Sequence, residues 1–137
     1  MGFCLEVCGE FACFTRPELK VERVSYEVLT PSAARSIFDA ILWKPAIHWT
    51  VTKIEVLKPI RWINIKRNEL GNKIPAQKAK TVMNTLNGCL GTYVEDNRQQ
   101  RAGMFLKDVR YRLYAEFQMT DKAGSDDNEA KFAEMLH

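Results

Sequence analysis

His48 is the side chain in this chain best suited to moving a proton near neutral pH, because an imidazole titrates there. It stands in Ile47-His48-Trp49-Thr50-Val51, an alternating run that places it on the polar side of a strand. A partly exposed strand residue with no chemical role is the plain alternative. The other histidine, His137, is the last residue. Cys4, Cys8, Cys13 and Cys89 form no Cys-x-x-Cys pair, and neither histidine is near them in sequence, so no metal is expected. Cys4 and Cys8 share one strand face, and buried, reduced thiols are the expectation. Gly88-Cys89-Leu90-Gly91 is too sparse for a phosphate-cradling loop, and no nucleophile triad is visible; no cofactor is expected.

Charge is the stronger signal. The net charge is +3, but residues 53–112 hold 13 Lys/Arg against 5 Asp/Glu, while residues 116–134 hold 6 acids against 2 bases. Trp62 and Tyr93 interleave with the basic middle, a pattern that suits a phosphate backbone; a solvated basic face is the alternative. Such a surface would also accept duplex DNA. No apolar run approaches the ~20 residues of a membrane helix, and no basic start followed by an apolar stretch marks a signal peptide. No membrane partner and a cytoplasmic location are therefore expected. The length of 137 residues suits one domain with a real core.

The elements that must position these residues can be read in order. Phe3, Leu5 and Val7 alternate with Cys4, Glu6 and Cys8 as a first strand. Phe14 to Tyr26 has no clean period and reads as a long basic loop. Thr30 is an N-cap, Pro31 suits the first helical position, and Ala34, Ile37, Phe38, Ile41 and Leu42 recur at helical spacing. A helix over 31–43 follows, stopped by Pro45. A second strand starts at Ile47 and slips phase near Thr52 or Lys53, which predicts a bulge. Residues 66–100 are polar and weakly periodic and read as a partly mobile insertion, with a helical turn over 81–86. Alternation returns over 104–119, with Val109, Tyr111, Leu113, Ala115 and Phe117 on one face. A helix over 128–136 closes the chain, with Phe132, Ala133 and Leu136 inward. Strand, helix, strand, strand, helix is an α+β, ferredoxin-like (RRM-like) unit whose final strand is missing.

Certain words in the chain carry a resemblance. They are Ala12-Cys13-Phe14-Thr15-Arg16-Pro17, Lys20-Val21-Glu22-Arg23-Val24-Ser25-Tyr26, Thr30-Pro31-Ser32-Ala33-Ala34-Arg35 and Trp43-Lys44-Pro45. Val56-Leu57-Lys58-Pro59-Ile60, Arg67-Asn68-Glu69, Asn97-Arg98-Gln99-Gln100-Arg101 and Thr120-Asp121-Lys122-Ala123-Gly124 continue it. In these words the chain closely resembles the Cas-five subunit of subtype I-C CRISPR systems, the Dvulg-type member of the RAMP superfamily. It looks like the N-terminal portion of that family, cut short.

The resemblance implies an RNA-binding subunit of a type I-C interference complex. Such a subunit cuts CRISPR repeat RNA without metal, by 2′-OH attack on the adjacent phosphate, and keeps the 5′ handle of the product. Relatives place an aromatic or histidine before Trp-Lys-Pro and a Lys-His pair on the second helix. Here these positions are Leu42 and Lys131-Phe132, so only Lys131 is matched. Leu42 and Phe132 cannot shuttle protons, and their helical spacing to Phe38 and Leu136 explains them as core. Lys131 and His48 are therefore the catalytic candidates, with a non-catalytic RNA-binding subunit or a nonfunctional fragment as alternatives. The RNA-binding candidates are Arg16, Lys20, Arg23 and Tyr26 in the basic loop, then Lys44, Lys58, Arg61, Arg67, Asn68, Arg98 and Arg101. Cations would hold phosphates there, while Tyr26 or Trp62 would stack on an unpaired base.

Overall fold

A computed structural model describes residues 2–137. The elements are β1 (Gly2–Ala12), α1 (Pro31–Ile41), β2 (Ile47–Val56), β3 (Trp62–Leu70), α2 (Ala76–Thr85), β4 (Arg98–Met119) and α3 (Glu129–Met135). They fall into two compact units: the residues up to Ile63 with Met104–His137, and Asn64–Gly103.

In the first unit β4 runs between β1 and β2, antiparallel to both. With α1 and α3 this is the α+β, ferredoxin-like order expected from the pattern. Among the described residues no strand continues the sheet beyond β1. Period-two alternation decides which side chains face the helices. Phe3, Leu5 and Val7 of β1 pack against a core built on Trp49, Tyr111, Leu113, Ala115 and Phe117. α1 adds Ala34 and Phe38, and α3 adds Phe132. Cys4 and Cys8 are exposed, not buried, because they alternate with those three apolar residues and face away from the helices. The register of β2 on β4 shifts between Val51 and Lys53, where the slipped phase predicted a bulge.

Thr30 caps α1 by accepting the Ala33 N–H, and Pro31 occupies the first turn. The helix ends at Ile41 instead of Trp43. Leu42 is already extended, at φ −145° and ψ 111°, and its carbonyl accepts the Trp49 indole N–H at 2.9 Å. That bond satisfies a helix-end carbonyl with a tertiary partner. Trp43 is left exposed.

The second unit holds the whole stretch read as a weakly periodic insertion. There the structure has regular elements: β3 continues to Leu70, α2 spans Ala76–Thr85 and β4 starts at Arg98. β3 pairs with β4. The Gly71 N–H donates to the Asn97 carbonyl at 2.8 Å, and Arg101 meets Glu69 at 3.4 Å. α2 buries none of its residues, which is why no apolar stripe announced it. Its left-handed cap at Leu86, φ 50°, ends the turn expected over 81–86.

Candidate nucleic-acid interface

Two hydrogen bonds from Thr120 bring the segment after α1 to the segment before α3. The Thr120 hydroxyl donates to the Pro45 carbonyl at 2.6 Å, and the Thr120 N–H donates to the Ala46 carbonyl at 2.8 Å. Lys44 immediately precedes that junction, and Lys122 follows it, its N–H on the Thr120 hydroxyl. On the far side Asn128 caps α3 by accepting the Lys131 N–H at 2.8 Å. The result is a cavity of about 290 Å³ lined by Lys44, Pro45, Ala46, Lys122, Asp127, Lys131, Phe132 and Met135. Three lysines and one carboxylate line it, above a partly apolar floor.

Asp127 is the fixed point of that cavity. One oxygen accepts the Gly124 N–H at 2.9 Å and the other meets the Lys131 ammonium at 2.9 Å. The Gly124 N–H first, then Lys131, hold its carboxyl below the usual carboxylate range, and Lys44 adds to the effect. Lys131 also lies 5.7 Å from the Phe132 ring centre.

The positions where the resemblance expects proton shuttles are built otherwise. Phe132 is 2% exposed and meets Phe117 edge-on at 6.4 Å between ring centres. Leu42 packs half-buried against the same core. His48 is exposed on the side of β2 away from the core and lines a different cavity, with Arg35, Ser32 and Thr50. The structure therefore does not bring His48 to Lys131.

The basic loop forms its own site. A cavity of about 500 Å³ is lined by Cys13, Phe14, Thr15, Pro17, Tyr26, Thr30, Ser32, Ala33 and Ser36. Arg16 sits 4.6 Å from the Tyr26 ring centre and pairs with Glu27 at 2.9 Å, so its guanidinium braces the loop. The buried Ser25 hydroxyl bridges the loop by accepting the Phe14 N–H and donating to the Tyr26 carbonyl. Lys20 and Lys58 are exposed, Arg23 is half-buried, and Arg61 reaches Asp108 at 3.9 Å. In the second unit Arg67, Asn68 and Arg98 are exposed, whereas Arg101 is half-buried between Glu69 and Gln99. Trp62 and Tyr93 are exposed.

The outer face of the sheet is charged in a different way. Glu6 meets Arg110 and Arg112, each at 3.5 Å, and Arg112 continues to Glu55 at 3.4 Å. Glu55 also takes Lys53 at 2.7 Å and the Tyr114 hydroxyl at 3.3 Å. The Lys53 hydrogen bond draws the Glu55 carboxyl below its ordinary range, while desolvation first, then the contact with Cys4, push the Tyr114 phenol up. Among the described residues no three His, Cys, Asp or Glu side chains cluster as metal ligands.

Sequence reasoning missed Lys122 and Asp127 as parts of the lysine cavity. The signals were present: Lys122 lies in one of the words that carried the resemblance, and Asp127 stands four residues before Lys131, the spacing of a helical ion pair.

Comparison with known proteins decides the family. A family model described as CRISPR-associated protein (Cas_Cas5), of the Cas5d type, matches residues 2–137. The chain belongs to this family. It is 56% identical over 133 residues to the CRISPR pre-crRNA endoribonuclease Cas5d of Mannheimia succiniciproducens, covering 96% of this chain and 59% of that protein. It is 46% identical over 112 residues to the protein of the same name from Thermus thermophilus, covering 82% of this chain and 43% of that one. Among solved structures, one described as a CRISPR-associated protein superposes with a TM-score of 0.64 at 25% identity, over 99% of this chain and 53% of that one. A functionally uncharacterized protein from Streptococcus mutans shares the fold, with a TM-score of 0.61 at 21% identity. The chain thus spans about half the length of the relatives it matches. Among the described residues no helix is long and apolar enough to cross a membrane.

Proposed function

We propose that this chain is the part of a type I-C interference-complex subunit that holds the 5′ handle of CRISPR RNA, and that the subunit cuts the precursor repeat RNA. The lysine cavity carries the reading. Three lysines line a space of about 290 Å³, room for a backbone phosphate against an apolar floor. In the cut, a ribose 2′-oxygen bonds to the adjacent phosphorus and its proton leaves to a base. The bond from phosphorus to the 5′-oxygen breaks, and that oxygen takes a proton. The products are a 2′,3′-cyclic phosphate and a 5′-hydroxyl. Lys131 and its lysine neighbours stabilise the charge that grows on the phosphorane oxygens. Arg16, Lys20, Arg23, Tyr26, Lys58, Arg61, Arg67, Asn68, Arg98 and Arg101 guide the flanking RNA, and the remaining subunits of the complex complete the path.

One observation favours a second reading, a handle-binding subunit that does not cut. Phe132 is packed in the core, and Leu42 lies against it, where the resemblance implies titratable groups. The test is incubation of labelled repeat RNA in EDTA with this chain and with a relative-length form, read on denaturing and native gels side by side. A single cut, blocked by a 2′-deoxy substitution at the scissile position, supports the nuclease. Tight binding without cutting supports the scaffold. No binding by either form refutes both readings and leaves an inactive fragment.

A further inference from the structure

The lysine cavity holds a cation and an anion to which neither the resemblance nor the named relatives give a role. Among the described residues neither Lys44 nor Lys122 has an ion-pair partner, whereas Lys131 is held by Asp127. Asp127 cannot follow a swinging lysine, because its second oxygen is anchored to the Gly124 N–H at 2.9 Å. A free lysine carries several rotatable bonds and loses that freedom on binding a phosphate. Here one of the three ammonium donors is spent on an anchored carboxylate, and two remain for a ligand. Lys122 lies across the same cavity, fixed at its backbone by the Thr120 hydroxyl, itself tied to Pro45.

We infer that Lys122 is the second cation of a single-phosphate site shared with Lys131, and that Asp127 is the positioning residue which holds the Lys131 ammonium at that site. The ligand is one phosphodiester of a single-stranded RNA. This rests on the function proposed above but predicts something different from it. A merely repulsive acid at the mouth of an anion site would, once neutralised, improve binding and leave chemistry intact. A positioning acid, once neutralised, leaves binding intact or tighter and slows the step that needs an aligned cation.

The test uses Asp127→Asn, Asp127→Glu, Lys122→Ala and Lys122→Arg in the full chain. Asn keeps the acceptor for the Gly124 N–H, so the turn is preserved. Lys122→Ala is expected to weaken repeat-RNA binding roughly tenfold, and to lower the steepness of its salt dependence by about 0.7, one single-strand phosphate contact. Lys122→Arg should restore both. Asp127→Asn should leave RNA affinity equal or tighter while single-turnover cleavage slows by about tenfold to a hundredfold, with partial rescue by Asp127→Glu. An unchanged or faster cleavage rate in Asp127→Asn would overturn the positioning role.

A second readout does not need RNA cleavage. Lysines carrying ¹³C-dimethyl labels keep their charge and report by NMR. With inorganic phosphate as the probe, the Lys122 and Lys131 signals should shift together along one titration curve. In Asp127→Asn the Lys131 signal should move to the position of ordinary surface lysines. Independent curves, or no shift of Lys122, would remove Lys122 from the site even if the chain binds and cuts RNA. Conversely, joint shifts in a chain that neither binds nor cuts repeat RNA would keep the phosphate site and refute the proposed function.

Discussion

The outer face of the sheet and the lysine cavity lie in the same unit, yet they handle charge in opposite ways. On the sheet, Lys53, Arg110 and Arg112 interlock with Glu6 and Glu55 in one continuous ladder. Each cation there already has its anion, and exposed pairs of this kind contribute about 0–1 kcal/mol apiece. The cavity is lined by Lys44, Lys122 and Lys131 but by one carboxylate, which pairs with Lys131, so positive charge is left over. Cation count alone does not separate the two regions; the count of anions within reach does. A phosphate entering the cavity gains attraction without breaking a ladder, whereas one arriving at the sheet must first compete with fixed carboxylates.

The largest effect that would break the comparison lies behind the cavity. Phe132→Ala removes a fully buried ring and should cost about 3–5 kcal/mol in a denaturant melt. A loss under 1 kcal/mol would mean that Phe132 is not the packed wall described here, and its position would reopen as a site for chemistry. Next comes the direct contrast in RNA binding. Lys122→Ala with Lys131→Ala should weaken repeat-RNA affinity by roughly a hundredfold, while Arg110→Ala with Arg112→Ala should change it by less than about threefold. Filter binding at several salt concentrations measures both.

Acid titration sharpens the comparison further. Asp127 and Glu55 are both depressed, so each contributes stability that is present above the ordinary carboxylate range and lost as pH falls through its lowered value. Their leading causes differ: a backbone N–H for Asp127 and the Lys53 ammonium for Glu55. In Lys131→Ala, then, Asp127 should still titrate low, whereas in Lys53→Ala Glu55 should move most of the way back. Carboxyl-carbon NMR against pH distinguishes them. The smallest effect is expected from Glu55→Gln, a marginal shift in a thermal melt, with a slight rise in non-specific RNA binding as Lys53 is released while Arg112 keeps Glu6.

Much of this fold was legible because burial imposes a period. Trp49, Leu113 and Phe132 fall where alternation or helical spacing placed them, and the bulge beside Thr52 showed as a phase slip. α2 and the outer parts of β3 and β4 were not legible, since their regularity comes from backbone bonds such as Gly71 to Asn97 and leaves few apolar residues inside. The cysteines were misjudged because residue type was weighted over face: Cys4 and Cys8 alternate with the core residues and are exposed. For the site, Lys44 and Lys131 were named from the sequence, but only the tertiary ties of Thr120 bring Lys122 to the same cavity. His48 was read on the polar side of β2, and it is exposed there, lining a different cavity.

We propose that the surplus of cations over anions in the cavity, not the paired cations on the sheet, holds the RNA backbone. The measurement that reaches it most directly is the salt dependence of repeat-RNA binding for the Lys122→Ala/Lys131→Ala chain beside the Arg110→Ala/Arg112→Ala chain. The account predicts that the first loses about 1.4 from the slope of log affinity on log salt, two single-strand phosphate contacts, while the second keeps the parent slope. Equal losses in both chains, or a loss confined to the sheet variant, would contradict it.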